Sequence, residues 1–236
     1  MTSKTNLSEI LFLDIETVPE KSSFEELSPV KQELYGQKTK YQRKEEFTAQ
    51  EFYERAGIWA EFGKIVCISV GFFNDDSSFR LKSFFGDNEV KILEDFKNLL
   101  NRYYNQKQHV LSAHNGKEFD FPYIARRMVI NRVELPEKLN LFGKKPWEVP
   151  HLDTLEMWKF GDYKHYTSLN LLTNILGISS PKEDIDGSMV GQVYYKDKDL
   201  KRIAKYCEND TLAVAQVYLR FSNLELLTEK QIIKVT

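Results

Sequence analysis

The stretch Ile10-Leu11-Phe12-Leu13-Asp14-Ile15-Glu16-Thr17 runs four apolar residues into an Asp-x-Glu pair. Four apolar residues in a row read as a buried strand. Side chains alternate along a strand, so Asp14 and Glu16 share one face while Leu13 and Ile15 share the other. Two carboxylates side by side at the end of a buried strand repel and lose hydration, which raises their pKa unless a cation joins them. A divalent ion such as Mg²⁺ or Mn²⁺ prefers carboxylate oxygens and would relieve both costs. A strand that simply runs into a polar turn would carry the same pair, so the choice rests on the rest of the chain.

Two further patches bear on it. His114-Asn115-Gly116-Lys117-Glu118-Phe119-Asp120-Phe121-Pro122-Tyr123 follows a short expected strand, 109–113, and leads into a helix, the kind of junction where α/β sheets place their sites. Asp120 is either a helix N-cap, with Pro122 fixing the first turn, or a ligand. On the long helix expected over 197–221, Tyr206 and Asp210 lie four residues apart and share a face with Ile203, Ala213, Val214 and Val217. An aspartate in an apolar stripe is costly without a partner, and Lys201, Arg202, Lys205 and Glu208 fall largely elsewhere on the helix.

Around these patches the pattern is mixed α and β. Residues 64–73 read as a strand, 74–78 as a turn and 79–85 as the returning strand of a hairpin. Helices are expected over 87–104 and 121–131, and over 168–176 with Gly177 as the stop. A short strand or turn at 149–155 leads to a helix ending near Phe160, 181–191 is a loop, and the tail 222–236 carries no clear assignment. The stretch 20–62 is polar and charged but holds Phe47, Phe52, Tyr53 and Trp59. It reads as one or two amphipathic helices inserted between strands, either a substrate flank or ordinary decoration. The expected fold is one α/β domain over 1–236 with a mixed sheet.

At 236 residues and 42% hydrophobic content the chain can bury a substantial core. The net charge of −2 neither demands nor excludes nucleic acid. Cys67 and Cys207 are the two cysteines and form no Cys-x-x-Cys, which argues against a disulfide scaffold or zinc site and fits a reducing compartment. Residues 1–9 lack a signal-peptide core, and the longest apolar run, 65–73, is too short to span a bilayer. The expectation is a soluble, cytoplasmic protein with no membrane partner.

Phe-Leu-Asp14-Ile-Glu16-Thr, Asn115-Gly-Lys-Glu-Phe-Asp120 and Tyr206-Cys-Glu-Asn-Asp210 together resemble the three exonuclease motifs of the DEDD superfamily. Their order and context are closest to the proofreading domain of family B DNA polymerases. More narrowly, the chain resembles the stand-alone predicted 3′–5′ exonucleases related to that domain, from about Leu11 to Phe221. The resemblance implies a ribonuclease H-like fold, a five-stranded mixed sheet flanked by helices. It implies that Asp14, Glu16, Asp120 and Asp210 hold two divalent ions, Mg²⁺ or Mn²⁺, and that Tyr206 orients the attacking water. The superfamily's other branch has histidine five residues before the last aspartate. Lys205 stands there in this chain, which matches the tyrosine branch. No polymerase region follows Asp210, so a proofreading role would need a partner.

The catalytic set expected is therefore Asp14, Glu16, Asp120, Tyr206 and Asp210, with Thr17, Asn115 and Phe119 as candidate substrate contacts. Asn115 bonds a nucleotide or braces its loop, and Phe119 meets a base or packs in the core. Asp153, in His151-Leu152-Asp153, resembles a family strand end and is read as the N-cap of the next helix. Lys164 is a candidate phosphate contact. Basic clusters at Lys38, Lys40, Arg43 and Lys44, and at Lys198, Lys201, Arg202 and Lys205, are candidates for strand binding. The leading expectation is a metal-dependent 3′–5′ exonuclease on single-stranded DNA ends. The alternatives are an exoribonuclease of the same fold, since no motif encodes the 2′ position, and an inactive nucleic-acid-binding module.

Overall fold

The computed structural model describes residues 6–43, 46–74, 78–162, 166–178 and 184–235. Lys44, Lys164, the centre of the 74–78 turn and the start of the 181–191 loop lie outside the described residues. The first strand, β1 (Ile10–Pro19), sits inside a mixed sheet. It pairs antiparallel with β2 (Gly63–Phe73) and parallel with β4 (Val110–Ala113). Beyond β2 lies the hairpin partner β3 (Phe79–Phe85), and beyond β4 the two-residue strand β5 (Leu152–Asp153).

Among the described residues the sheet has six strands, in the order β5-β4-β1-β2-β3-β6, and not the five expected. The sixth, β6 (Ile232–Val235), comes from the C-terminal tail and pairs parallel with β3. Four residues with one outer edge free give a sequence too little alternation to read, and their partner lies some 150 residues upstream.

Strand alternation assigns the two faces of β1. Leu11, Leu13 and Ile15 enter one core with Leu93, Phe96 and Leu100 of α2 (Glu89–Tyr103) and with Ile124 and Met128 of α3 (Asp120–Ile130). Ile10 and Phe12 enter another, with Val214, Ala215 and Tyr218 of α7 (Leu200–Phe221). Asp14 and Glu16 continue that second series, so the strand itself delivers both carboxylates to the face that α7 covers.

Helix ends differ from expectation in instructive ways. Asn88, and not Asp87, caps α2, its side chain accepting the Lys91 N–H, which leaves Asp87 for another partner. The last helix begins at Leu200 and is preceded by a short α-helical turn, Val190–Gln192, and a π turn, Val193–Asp197. Ser168 caps the helix Leu169–Ile175, and Gly177 past its end holds a left-handed φ of 64°. The 20–62 insertion includes the α-helix Pro29–Arg43 and the 3₁₀ segment Tyr53–Ile58. Both close on an aromatic cluster of Phe24, Tyr35, Phe52, Tyr53, Trp59 and Phe62.

A buried ion pair ties these layers together. Glu89 accepts from Arg127 on α3, from the Ile65 N–H of β2 (2.7 Å) and from Asn131 (2.9 Å), and Arg127 also donates to the Ala60 carbonyl (2.7 Å). Both residues are under 10% exposed. Removing one partner strands the other's charge in the core, which costs on the order of 3–5 kcal/mol. Arg127→Ala should lower the unfolding free energy by about that amount in urea melts. A loss under about 1 kcal/mol would mean the pair is solvated and structurally idle.

Candidate active site

Asp14 lies opposite Ser69 and Glu16 opposite Cys67, and the register shifts between Glu16 and Thr17. A bulge at this point bends the strand and re-aims its side chains. Asp14, Glu16 and Cys207 bring potential ligand atoms within 4.8 Å of one another. The Cys207 thiol donates to the Asp14 carbonyl (3.3 Å), and Thr211, one turn on, donates to the Ser69 carbonyl (3.3 Å). These bonds seat α7 on β1 and β2. Tyr206 and Asp210 then line a cleft of about 820 Å³ together with Asp14, His114, Tyr166 and Met189. Asp210 is partly buried at the cleft wall and not sealed in an apolar stripe.

Asp120 arrives from the other side. Strand β4 stops at Ala113, paired with β1 only as far as Phe12, and the first turn of α3 continues past its end. The Asp120 carboxylate accepts the Ile15 N–H there. The residue is 4% exposed, and the N-cap position belongs to Phe119, with no side-chain cap. The cap reading of Asp120 therefore gives way to a buried carboxylate turned toward β1.

The approach to α3 is held by Asp153. Its carboxylate caps the helix Thr154–Lys159 by accepting from Leu155 and Glu156, as expected. It also accepts the backbone N–H groups of Asn115 and Lys117, both at 3.0 Å. Asn115 takes a left-handed φ of 63°. Gly116 has no room for a side chain, since a Cβ there would lie 2.4 Å from the Ala113 Cβ. Asn115 thus braces its loop through its backbone. His114 is fixed between Thr154 and the Thr167 carbonyl, each at 2.9 Å.

Thr17 shares a hydrogen bond with the Tyr123 hydroxyl. Phe119 packs at 5.2 Å on the Tyr123 ring while remaining partly exposed. Part of the expected basic clusters is engaged within the fold. Lys38 pairs with Glu61, Arg43 donates to the Gly36 and Phe47 carbonyls, and Arg202 pairs with Asp184 and Asp197. Lys40, Lys198, Lys201 and Lys205 are exposed.

The electrostatics are those of crowded acids. Burial raises Asp14 well above the ordinary carboxylate range, and Asp210, Glu16 and Asp120 push it further. Asp120 is pushed up to about 7 by burial, with Asp153 and Asp210 adding to the shift against bonds from its own N–H and that of Ile15. Asp14 Oδ2 is sealed from solvent and has no hydrogen-bond partner among the described residues. A buried carboxylate oxygen without a donor is costly, and a cation answers both that cost and the repulsion. The donor set of hard carboxylate oxygens fits Mg²⁺ or Mn²⁺.

The mixed sheet with helices packed on both faces of β1 is a ribonuclease H-like α/β fold. The chain matches the family described as predicted 3′–5′ exonuclease related to the exonuclease domain of PolB, over residues 58–234. That match covers about three quarters of the sequence, and the chain belongs to this family. Asp14 and Glu16 precede the matched residues, so it is the fold that joins them to the rest. Among solved structures the chain is similar to the family B DNA polymerase of the hyperthermophilic archaeon Pyrobaculum calidifontis, with a TM-score of 0.55 and 17% identity. The likeness covers 89% of this chain and 24% of the polymerase, so the chain spans about a quarter of that protein's length. No curated protein matches the chain.

The raised carboxyls set the pH dependence of the metal-free protein. Unfolded, both acids ionise near pH 4. Folded, Asp14 is raised and Asp120 keeps its proton to about pH 7. Their contribution to stability is therefore complete below about pH 4 and is lost as pH rises toward 7, by up to about 1.4 kcal/mol per pH unit for one group. Urea melts in EDTA across this window should show the decline, and Asp120→Asn should flatten it. Equal slopes for the two proteins would mean that Asp120 ionises freely in the fold.

Proposed function

We propose that the chain is a metal-dependent 3′–5′ exonuclease that hydrolyses terminal phosphodiesters of single-stranded DNA. The observation that carries this reading is the convergence of carboxylates from three separate elements, Asp14 and Glu16 of β1, Asp120 of α3 and Asp210 of α7. Each of the other three adds to the raised pKa of Asp14. Burying like charges has no structural return, and Asp14 Oδ2 has no hydrogen-bond partner among the described residues.

The four carboxylates would hold two divalent ions. When bound, such ions lower the pKa of an attacking water and stabilise the leaving oxygen of an in-line displacement. Before that, the carboxylates alone would repel a polyanion, so the acidic cleft argues against a module that only binds nucleic acid. Tyr206 faces the same cleft as Asp14 and Asp210. A phenol is a poor base at neutral pH, so its proposed work is to hold and orient the water by a hydrogen bond. Cys207, beside Tyr206, keeps this stretch of α7 against β1 through its bond to the Asp14 carbonyl. Asp153 fixes the loop that presents Asp120.

Thr17, Asn115 and Phe119 remain proposed substrate contacts. Phe119 is half-buried on Tyr123, which leaves part of its ring for a terminal base. No helix of the described residues is long and apolar enough to cross a membrane. Free, buried cysteines at 67 and 207 fit the reducing cytoplasm in which we place the protein.

Digestion of 5′-labelled single-stranded DNA, single-stranded RNA and duplexes, with Mg²⁺, Mn²⁺ or EDTA, tests the reading. The expected result is a ladder shortening from the 3′ end of single-stranded DNA, absent in EDTA. Asp14→Ala and Asp210→Ala should each lower turnover by about three orders of magnitude or more while the protein stays folded. Tyr206→Phe should lower it on the order of 10²-fold with metal binding retained. Activity in EDTA, or wild-type rates in the aspartate variants, would overturn the proposal. Faster digestion of RNA would assign the same chemistry to an exoribonuclease.

A further inference from the structure

Lys21, Lys64 and Lys198 are far apart in sequence, and the fold gathers them at the end of β1. Lys64 pairs across the sheet with Val18. The Tyr195 hydroxyl donates to the Pro19 carbonyl (2.5 Å), which brings the π turn Val193–Asp197 against the end of the strand. Lys64 Nζ donates to the Tyr194 hydroxyl (2.9 Å) and lies 4.5 Å from the centroid of that ring. The same ammonium is 5.6 Å from the Tyr195 centroid, and Lys198 Nζ is 5.8 Å from it. Two ammonium groups therefore share one tyrosine ring. Lys198 holds a left-handed backbone, φ 56°, which disfavours any residue with a side chain. A π turn inserted ahead of a helix is also an irregularity often associated with sites.

None of the three lysines has a carboxylate within ion-pair distance among the described residues. Neighbouring acids are engaged elsewhere: Glu20 takes Lys31 (2.6 Å), Asp87 takes the Tyr194 hydroxyl (2.7 Å) and Glu89 takes Arg127. Burial holds Lys64 below its usual range. Lys21 and Lys198 push the same way against Asp87 and Glu89.

The cluster adjoins the cleft along two routes. Asp184, Ile185, Asp186 and Met189 line the cleft, and their segment continues directly into the π turn and Lys198. Along β1, Lys64 stands opposite a residue two positions past Glu16 and four past Asp14, about 7 and 13 Å at the rise of a strand. We propose that Lys64 and Lys198, arranged around the Tyr194–Tyr195 pair, together with Lys21 just past the end of β1, form a second subsite that takes backbone phosphates of a nucleic-acid strand whose end lies at the carboxylates. The inference rests on the nuclease reading for its ligand. The Lys64–Tyr194–Asp87 chain sets the ammonium of Lys64, while the exposed Lys21 and Lys198 supply mobile charge beside it.

The test compares a dinucleotide, whose single phosphodiester is the scissile one, with an oligothymidylate of about 12 nucleotides, within the length that single-strand grooves cover. Lys21→Gln/Lys198→Gln removes the two exposed charges, and Lys64→Met keeps the stem of the third, with thermal melts to confirm folding. The double variant should lose roughly 10-fold in kcat/KM on the longer strand and less than about 2-fold on the dinucleotide. Its salt slope of binding, followed by fluorescence anisotropy, should fall by about 1.4 for two lost contacts. Equal losses on both substrates, or an unchanged salt slope, would overturn the subsite. Binding of the longer strand without digestion, weakened by the variants, would keep the subsite and reject the nuclease reading. No binding by the wild-type protein would reject both.

Discussion

Asp14 and Asp120 hold their protons beyond the usual carboxylate range because burial and neighbouring carboxylates make ionisation costly, and the surrounding fold is arranged to keep them there. Asp14 is fixed through its backbone and Asp120 through its carboxylate. Asp14 is locked by the pairing of β1 with β2 and by the Cys207 thiol on its carbonyl. Asp120 occupies the place where β4 has ended, bonded to the Ile15 N–H. Scaffold stability elsewhere has to offset this local repulsion. The apolar cores on both faces of β1 are where that compensation lies.

The same constraint explains why three elements are needed. One strand can present two carboxylates on a face, since alternation places every second residue there. A third must come from beyond the end of a neighbouring strand and a fourth from the helix that covers the face. Asp120 and Asp210 fill those positions. Asp153 belongs to this logic, since its carboxylate orders the 115–117 backbone from which α3 departs. It repels the charged form of Asp120 as well, so the residue that positions the acid also makes it harder to ionise.

Much of this was legible in the sequence because alternation and helical spacing act locally. The Asp14–Glu16 face, the helix around Tyr206 and Asp210, and the strand-to-helix junction before Asp120 follow from period and turn chemistry alone. Long-range pairing was not legible. Strand β6 offers four residues and no clear alternation, and its partner is set by the tail's return to β3. The second clamp made by Asp153, and the meeting of Lys64 with Lys198, depend on contacts across 36 or more residues. The insertion's lysine and arginine run looked available for binding because sequence does not reveal ion-pair partners such as Glu61 for Lys38.

The central claim is that the carboxylates of β1, α3 and α7 act as one site for divalent ions. Counting bound Mn²⁺ by equilibrium dialysis, at metal concentrations that saturate the wild-type protein, tests this most directly. Two ions per chain are predicted, with a loss of at least one in each of Asp14→Asn, Asp120→Asn and Asp210→Asn. Unaltered stoichiometry and affinity in the three variants, or no saturable binding by the wild-type protein, would contradict the account.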